Sequence, residues 1–176
     1  MFVVAAWFSG PSWALPALLY LVAVGVALAF IDVDVRRLPD VIVLPSYLAF
    51  GVRLALASWN PGGESEWQAT LRALAGGAAM FAAYFALLLV FPAGMGFGDV
   101  KLAGALGLCL GWFGWGSLTF GFFAAFLLGG VYALTLLATR RAGRKSGIPF
   151  GPWMVLGAFA GVVTGEAVSS WYVGLL

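Results

Sequence analysis

Six long apolar stretches, separated by short polar segments, limit what this chain can fold into. They occupy residues 13–31, 41–58, 70–91, 100–113, 116–139 and 150–170. Because a helix of about 20 apolar residues crosses the hydrocarbon core of a bilayer, this pattern predicts membrane-spanning helices. The fourth stretch is short for a span. We therefore expect an all-α fold, a polytopic membrane helix bundle of about six transmembrane helices surrounded by lipid, with residues 1–176 forming a single domain.

The composition supports this fold and removes several classes of function. Hydrophobic residues make up 63% of the chain and charged residues only 9%, whereas soluble domains have about 25% charged residues. The formal net charge of +2 provides no basic face for a nucleic acid. There is no histidine and a single cysteine, Cys109, which excludes an HExxH zinc site, a Ser-His dyad and a CxxC site. We expect no metal, no cofactor and no nucleic-acid partner.

Basic residues predict how the bundle is oriented. Arg36 and Arg37 follow the first stretch, and a second basic group follows the fifth: Arg140, Arg141, Arg144 and Lys145. Loops rich in Lys and Arg stay on the cytosolic side, so both of these loops are expected there. Glu64 and Glu66 lie in a segment without basic residues on the opposite side. The N- and C-termini are therefore both expected outside.

Most of the acidic residues are predicted to collect at one level of the bundle. Four of the seven lie at the expected cytosolic boundary: Asp32, Asp34, Asp40 and Asp99. Clustered carboxylates are costly there, because like charges repel and a low dielectric opposes ionisation. Glycine at every other position of 94–98 permits a sharp loop that could approach a substrate closely. Two interpretations stay open: either the aspartates form a functional site, or they only cap helices and close turns.

Other residues are assigned structural roles. Glycines spaced four apart are expected to let helices approach closely: Gly157, Gly161 and Gly165 in the last stretch, and Gly107 and Gly111 in the fourth. Three charged residues lie toward the outer side: Arg53, Arg72 and Glu166. The arginines are expected to snorkel to the headgroups, and the glutamate is expected to have a surface role.

Three motifs, in this order, resemble one protein family. The first runs from Asp32 to Pro39-Asp40, the second is Gly96-Phe97-Gly98-Asp99-Val100-Lys101, and the third, weaker one is Ile148-Pro149-Phe150-Gly151-Pro152. In these motifs the chain resembles the type IV prepilin peptidases, bacterial relatives of the archaeal preflagellin peptidases within the GxGD class of membrane aspartyl proteases. It has no paired CxxC motifs of the kind that long bacterial members carry. It therefore looks like the short, peptidase-only form, in which N-methyltransferase activity is in doubt.

The resemblance implies roles for individual residues. Asp32 and Asp99 correspond to the catalytic pair. Five others are candidates for substrate binding or structural support: Asp34, Asp40, Gly96, Gly98 and Lys101. If the pair acts together, the first and fourth predicted helices must be neighbours at their cytosolic ends.

The function implied is that of a membrane aspartyl endopeptidase that needs no cofactor. Its substrates would be type IV pilin-like precursors, whose short basic leader is removed at the cytosolic face of the cell (inner) membrane. The acidic cluster is expected to attract a basic leader. One alternative is a small transporter component in which the acids relay protons or cations; another is a structural subunit in which every aspartate is replaceable. The transporter alternative does not explain why the Pro-Asp segment and GxGDxK occur together.

Overall fold

The computed structural model describes residues 1–9, 12–60, 65–92, 94–139 and 149–175. These ranges contain seven helices and no strand, in agreement with the all-α expectation. The helices are α1 (Phe2–Ser9), α2 (Leu15–Val35), α3 (Asp40–Trp59), α4 (Trp67–Val90), α5 (Phe97–Phe113), α6 (Trp115–Ala138) and α7 (Gly151–Val173). Glu64, the basic group at 140–145 and Ile148 of the third motif lie outside the described residues.

Five of the helices are long and apolar enough to cross a membrane. They are α2, α3, α4, α6 and α7, with mean hydropathies between 1.3 and 2.2. They correspond to the five longer apolar stretches, so the protein is a multi-pass membrane protein. The fourth stretch forms α5, which has 17 residues. Helix α2 runs past residue 31 to Val35, so Asp32 and Asp34 both lie within the helix.

Helix ends near the acidic residues follow from local backbone chemistry. Arg36 ends α2 in the left-handed conformation, with φ 53°, and its N–H donates to the Asp32 carbonyl at 2.9 Å. Pro39 then precedes the first residue of α3, Asp40, at a place where the missing proline N–H costs no helical hydrogen bond. The connection between α2 and α3 is therefore short, and it holds the two helix ends close together.

Helix α5 forms the centre of the bundle. It packs against every one of the five spanning helices, most extensively against α4. Its buried residues form an almost unbroken run: Val100 and then Leu102 through Gly111. As expected from the sequence, α2 and α5 are neighbours. The short fourth stretch is thus surrounded by protein, which explains why it lacks the length of a lipid-facing span.

Glycines allow the closest helix contacts, which confirms the prediction made for the two glycine series. A Cβ added to Gly107 would lie 2.6 Å from the Gly76 carbonyl oxygen of α4. One added to Gly161 would lie 2.5 Å from the Ser117 carbonyl oxygen of α6, and one added to Gly165 would lie 2.5 Å from Ser117 Cα. Only glycine allows this approach, and it fixes the α4–α5 and α6–α7 pairs.

Candidate active site

An open cleft of about 450 Å³ lies at the end of the bundle where α2 finishes and α5 begins. Three segments line it: Asp32 with residues 36–38, residues 94–99, and Pro149 with Phe150. These segments carry parts of the three motifs that the sequence singled out. The fold therefore brings the motifs together at one place, although they are far apart along the chain.

Asp32 lies in the wall of this cleft. Its side chain projects from the last turn of α2 and is only 5% exposed. The carboxylate Oδ2 accepts a hydrogen bond of 2.9 Å from the backbone N–H of Gly151, the first residue of α7. A Cβ on Gly151 would lie 2.9 Å from the same oxygen. Glycine at 151 thus lets the start of α7 reach Asp32, 119 positions away in sequence.

Asp99 lies across the cleft in the first turn of α5. Its Oδ2 accepts a hydrogen bond of 3.0 Å from the N–H of Gly96, the residue that precedes the helix. This is one half of a capping box, in which a side chain at the third helical position satisfies the N–H at the N-cap. The sequence expectation of a capping aspartate is therefore met, and the same side chain also lines the cleft.

The two carboxylates line the same cleft. Each accepts one backbone N–H. Among the described residues, neither of them is in an ion pair with Lys or Arg. Two acids close together in one site, with no cation paired to either of them, tend to hold a single proton between them. Such a pair can supply a base and an acid to the same substrate.

Asp40 and Lys101 stand beside the cleft and bind each other. Lys101 Nζ lies 2.7 Å and 2.8 Å from the two Asp40 carboxylate oxygens, and 5.0 Å from the centre of the Phe97 ring. The Tyr47 hydroxyl donates to the Lys101 carbonyl at 2.6 Å. These contacts fasten the first turns of α5 to α3. The structure therefore places Asp40 and Lys101 in support of the segment that carries Asp99.

The glycines of GxGD serve different purposes. Gly96 has φ −88° and ψ 154°, an extended conformation that any residue adopts, and it contributes the N–H that binds Asp99. A Cβ on Gly98 would lie 3.1 Å from Leu38 Cβ. Close packing against the α2–α3 connection, rather than an unusual backbone conformation, therefore explains glycine at position 98.

Asp34 differs from the other candidates. It lies two residues after Asp32 on the outside of α2 and is exposed, and it does not line the cleft. The structure thus separates it from the pair. No group of three or more His, Cys, Asp or Glu side chains that could hold a metal ion occurs in the described part of the chain.

Two features of the cleft were not expected from the sequence. Arg36 and Arg37, which mark the expected cytosolic side and were expected to face lipid headgroups, line it together with the aspartates. Gly151, which the third motif contains without an assigned role, donates the N–H that holds Asp32. A signal for the latter existed, because a glycine between two prolines at a helix start suggests close backbone approach.

Comparison with known proteins identifies the family of the chain. The model of the type IV leader peptidase family matches residues 2–134. The chain belongs to the type IV leader peptidase family. The match includes Asp32 and the whole GxGDxK segment, and it ends before the third motif.

Relatives within this family are named both as a peptidase and as a methyltransferase. The chain is 34% identical, over 99% of its length, to the prepilin leader peptidase/N-methyltransferase of Aeromonas salmonicida strain A449, of which it covers 58%. Proteins of the same name from Aeromonas hydrophila and Pseudomonas aeruginosa are 34% and 31% identical over 97% and 96% of the chain, which covers 57% and 56% of them. The chain thus spans a little over half the length of these curated relatives. No solved structure matches it.

Proposed function

We propose that this chain is an aspartic endopeptidase that cleaves the leader from type IV pilin-like precursors. The observation that carries the proposal is the meeting of Asp32 and Asp99 in one open cleft, without a cation bound to either. Family membership favours a peptidase over the proton- or cation-relaying component. Family membership also disfavours a structural subunit.

The reaction would use the pair as base and acid. The ionised carboxylate takes a proton from a water molecule while the water oxygen attacks the scissile carbonyl carbon. The protonated carboxyl gives its proton to the carbonyl oxygen, and a tetrahedral diol forms. When the C–N bond breaks, one hydroxyl proton returns to a carboxylate and the leaving nitrogen takes the other carboxyl proton. The pair ends with one proton, as it began.

The cleft is suited to the end of a membrane helix. Its walls are the last turn of α2, the first turn of α5 and the connections beside them and before α7, so a substrate segment there would leave its own helical span intact. The two arginines that line the cleft match the two aspartates in number. The site therefore carries basic as well as acidic side chains, and we propose that its geometry selects the leader more than its net charge does.

We further propose that this end of the bundle faces the cytosol, because Arg36 and Arg37 lie in the α2–α3 connection. Cysteine scanning on a Cys109→Ala background tests the orientation in intact cells. An impermeant thiol reagent should label a cysteine at position 66 and leave one at position 37 unlabelled until the membrane is opened. The reverse pattern would place the cleft outside and overturn the proposal of a cytosolic leader.

The activity itself is tested with purified protein in detergent and a pilin-like precursor. Wild type should convert the precursor to a shorter product whose new N-terminus is read by mass spectrometry. Asp99→Asn should abolish conversion, whereas Asp34→Asn, the matched change outside the cleft, should leave the rate within about twofold. Conversion by Asp99→Asn at the wild-type rate would overturn the assignment.

Two further expectations are read from the same reaction. A chelator should leave the rate unchanged, because the carboxylate pair needs no metal to activate water. The product formed by this chain should have an unmethylated N-terminus, although the names of its relatives include an N-methyltransferase. A methyl group added by the purified chain in the presence of a methyl donor would show that the paired cysteines are not required.

A further inference from the structure

One polar group close to the cleft has no partner. Tyr84 lies on α4 and its side chain is completely buried. Its hydroxyl makes no hydrogen bond within the described part of the chain. A buried hydroxyl without a partner costs free energy, and native structures contain few of them, so its retention needs an explanation.

The ring of Tyr84 is held in a fixed place by aromatic neighbours. Its centroid lies 5.6 Å from that of Phe122 and 5.5 Å from that of Phe126, both on α6. It lies 6.3 Å from the ring of Phe150, which lines the cleft. Tyr84 therefore packs against a residue of the cleft wall, and three neighbouring rings hold its own ring in place.

Asp99 is the complementary group. It follows Phe97 by two positions, and the Phe97 ring lies 6.5 Å from the rings of both Phe81 and Phe85, which lie on either side of Tyr84 in the sequence of α4. Only one of the Asp99 carboxylate oxygens accepts a hydrogen bond from the described residues, from the Gly96 N–H, whereas a carboxylate can accept about four. Tyr84 is thus a donor without an acceptor, on the part of α4 that packs against the segment carrying Asp99.

Two other buried groups lack partners in the described residues, and neither offers the same combination. Ser117 lies at the start of α6, at the opposite end of the bundle from the cleft. The Trp153 ring stacks 4.8 Å from Tyr132, and neither residue lines the cleft. Tyr84 alone among the three packs against both the cleft residue Phe150 and the α4 face that meets Phe97.

We propose that Tyr84 is a positioning residue for Asp99, and that its hydroxyl donates a hydrogen bond to the free carboxylate oxygen when substrate occupies the cleft. The inference rests on the proposed peptidase function. Hydrogen bonds in active sites are often unmade in the free enzyme and tighten when substrate binds. The Gly96 N–H and the Tyr84 hydroxyl then hold the carboxylate from both of its oxygens, which fixes its plane relative to Asp32 and the attacking water.

The test compares Tyr84→Phe with Tyr20→Phe, each of which removes a single oxygen from a bundle tyrosine. The Tyr20 hydroxyl pairs with Ser46 Oγ at 3.0 Å, far from the cleft. Tyr84→Phe should lower kcat by about 10- to 100-fold, the range for a hydrogen bond to a charged group, with KM within about twofold. Its Tm should be unchanged or higher, because the free protein loses no hydrogen bond. Tyr20→Phe should show the opposite: a lower Tm and an unchanged kcat.

The outcomes separate this inference from the proposed function. Wild-type kcat in Tyr84→Phe, with Asp99→Asn inactive, would overturn the role of Tyr84 and leave the peptidase standing. A loss of kcat that merely follows a loss of folded protein would also overturn it. A wild type that does not cleave the precursor would overturn both.

A second measurement covers the case in which Tyr84→Phe does not fold. Tyrosine labelled with ¹³C at Cζ reports its hydrogen bonding through the C–O stretching band in infrared difference spectra. Precursor added to the Asp32→Asn protein, which should bind it without cleavage, is expected to shift the band of one tyrosine. The shift should be absent when Asp99→Asn is added to that background. A band that does not move in Asp32→Asn would overturn the inference.

Discussion

The two ends of the bundle contain the same kinds of polar residue and use them differently. At the cleft, Asp32 and Asp99 each accept one backbone N–H and face an open space. At the opposite end, one carboxylate oxygen of Glu166 accepts two N–H groups, from Gly116 at 2.9 Å and from Ser117 at 3.3 Å. Glu166 therefore caps α6, where the positive end of the helix dipole favours its charge.

Basic residues away from the cleft also bind protein rather than remaining at the surface. Arg72 donates to the carbonyls of Gly111 and Trp112, at 2.8 Å and 2.6 Å, and so satisfies the last turn of α5. Arg53 lies over the Tyr20 ring, 4.7 Å from its centre. The expectation of simple snorkelling was therefore incomplete. A position at a membrane boundary therefore does not by itself make a carboxylate available for chemistry. The carboxylate must also keep oxygen lone pairs free of hydrogen bonds to the protein and must border an open cleft.

The same isosteric change at each end, a carboxylate replaced by its amide, tests most directly whether the two ends differ in function. Asp32→Asn should lower the rate of precursor cleavage by about 10²- to 10⁴-fold, because an amide can neither take nor give the proton. Glu166→Gln should leave that rate within about twofold. Single-turnover assays on both proteins measure the difference. Equal losses in the two variants would mean that the ends do not differ in function.

Helix α7 carries Gly151 at the cleft and Glu166 at the opposite end, and it is held in place by close contact with α6. Gly161→Ala should lower the free energy of unfolding by about 1–3 kcal/mol, because the added Cβ would lie 2.5 Å from the Ser117 carbonyl oxygen. Gly130→Ala on α6 is the matched control, since nothing lies within 4 Å of its added Cβ. Thermal unfolding in detergent compares them. A Gly161→Ala protein as stable as Gly130→Ala would show that the helices can move apart at no cost.

On the cleft side, loss of the Asp40–Lys101 ion pair should affect cleavage less than loss of a cleft carboxylate. Asp40→Asn and Lys101→Met should each lower cleavage about 2- to 5-fold, the effect of a partly exposed ion pair worth up to about 1 kcal/mol. The double variant should be no slower than the slower single variant, because both changes break one link. The wild-type rate should fall toward the same value in concentrated salt. Additive losses in the double variant would show that the two residues act separately.

The smallest effect is expected from the cap at the opposite end. Glu166→Gln keeps an oxygen that can accept the Gly116 and Ser117 N–H groups and removes only the charge. The loss should therefore be about 0.3–1 kcal/mol of unfolding free energy, as for a charge at a helix dipole. Chemical unfolding of the two proteins side by side measures it. A larger loss would mean that the charge contributes more than its interaction with the start of α6.

The sequence predicted the parts of this molecule that depend on local patterns. Apolar length predicted the spanning helices, and the motif around Asp99 predicted a carboxylate that caps a helix start. The position of α5 in the centre was not predicted, because a short apolar stretch looks the same whether protein or lipid surrounds it. The Gly151–Asp32 hydrogen bond and the place of Tyr84 depend on how α7 and α4 pack, and no local pattern encodes either. The exposed position expected for Glu166 is observed, but its role as a cap of α6 was not predicted, because the N–H groups that it accepts are about 50 positions away.

The central position of α5 also bears on how the bilayer acts on the protein. Membranes differ in thickness by several ångströms, and spanning helices tilt or bend to match them. Five helices here meet that demand, while the 17-residue α5 has protein on every side. Asp99 is therefore carried by the helix that has the least contact with lipid. Tension or a change in lipid length reaches it only through its neighbours, and the glycine contacts with α4 hold it in register.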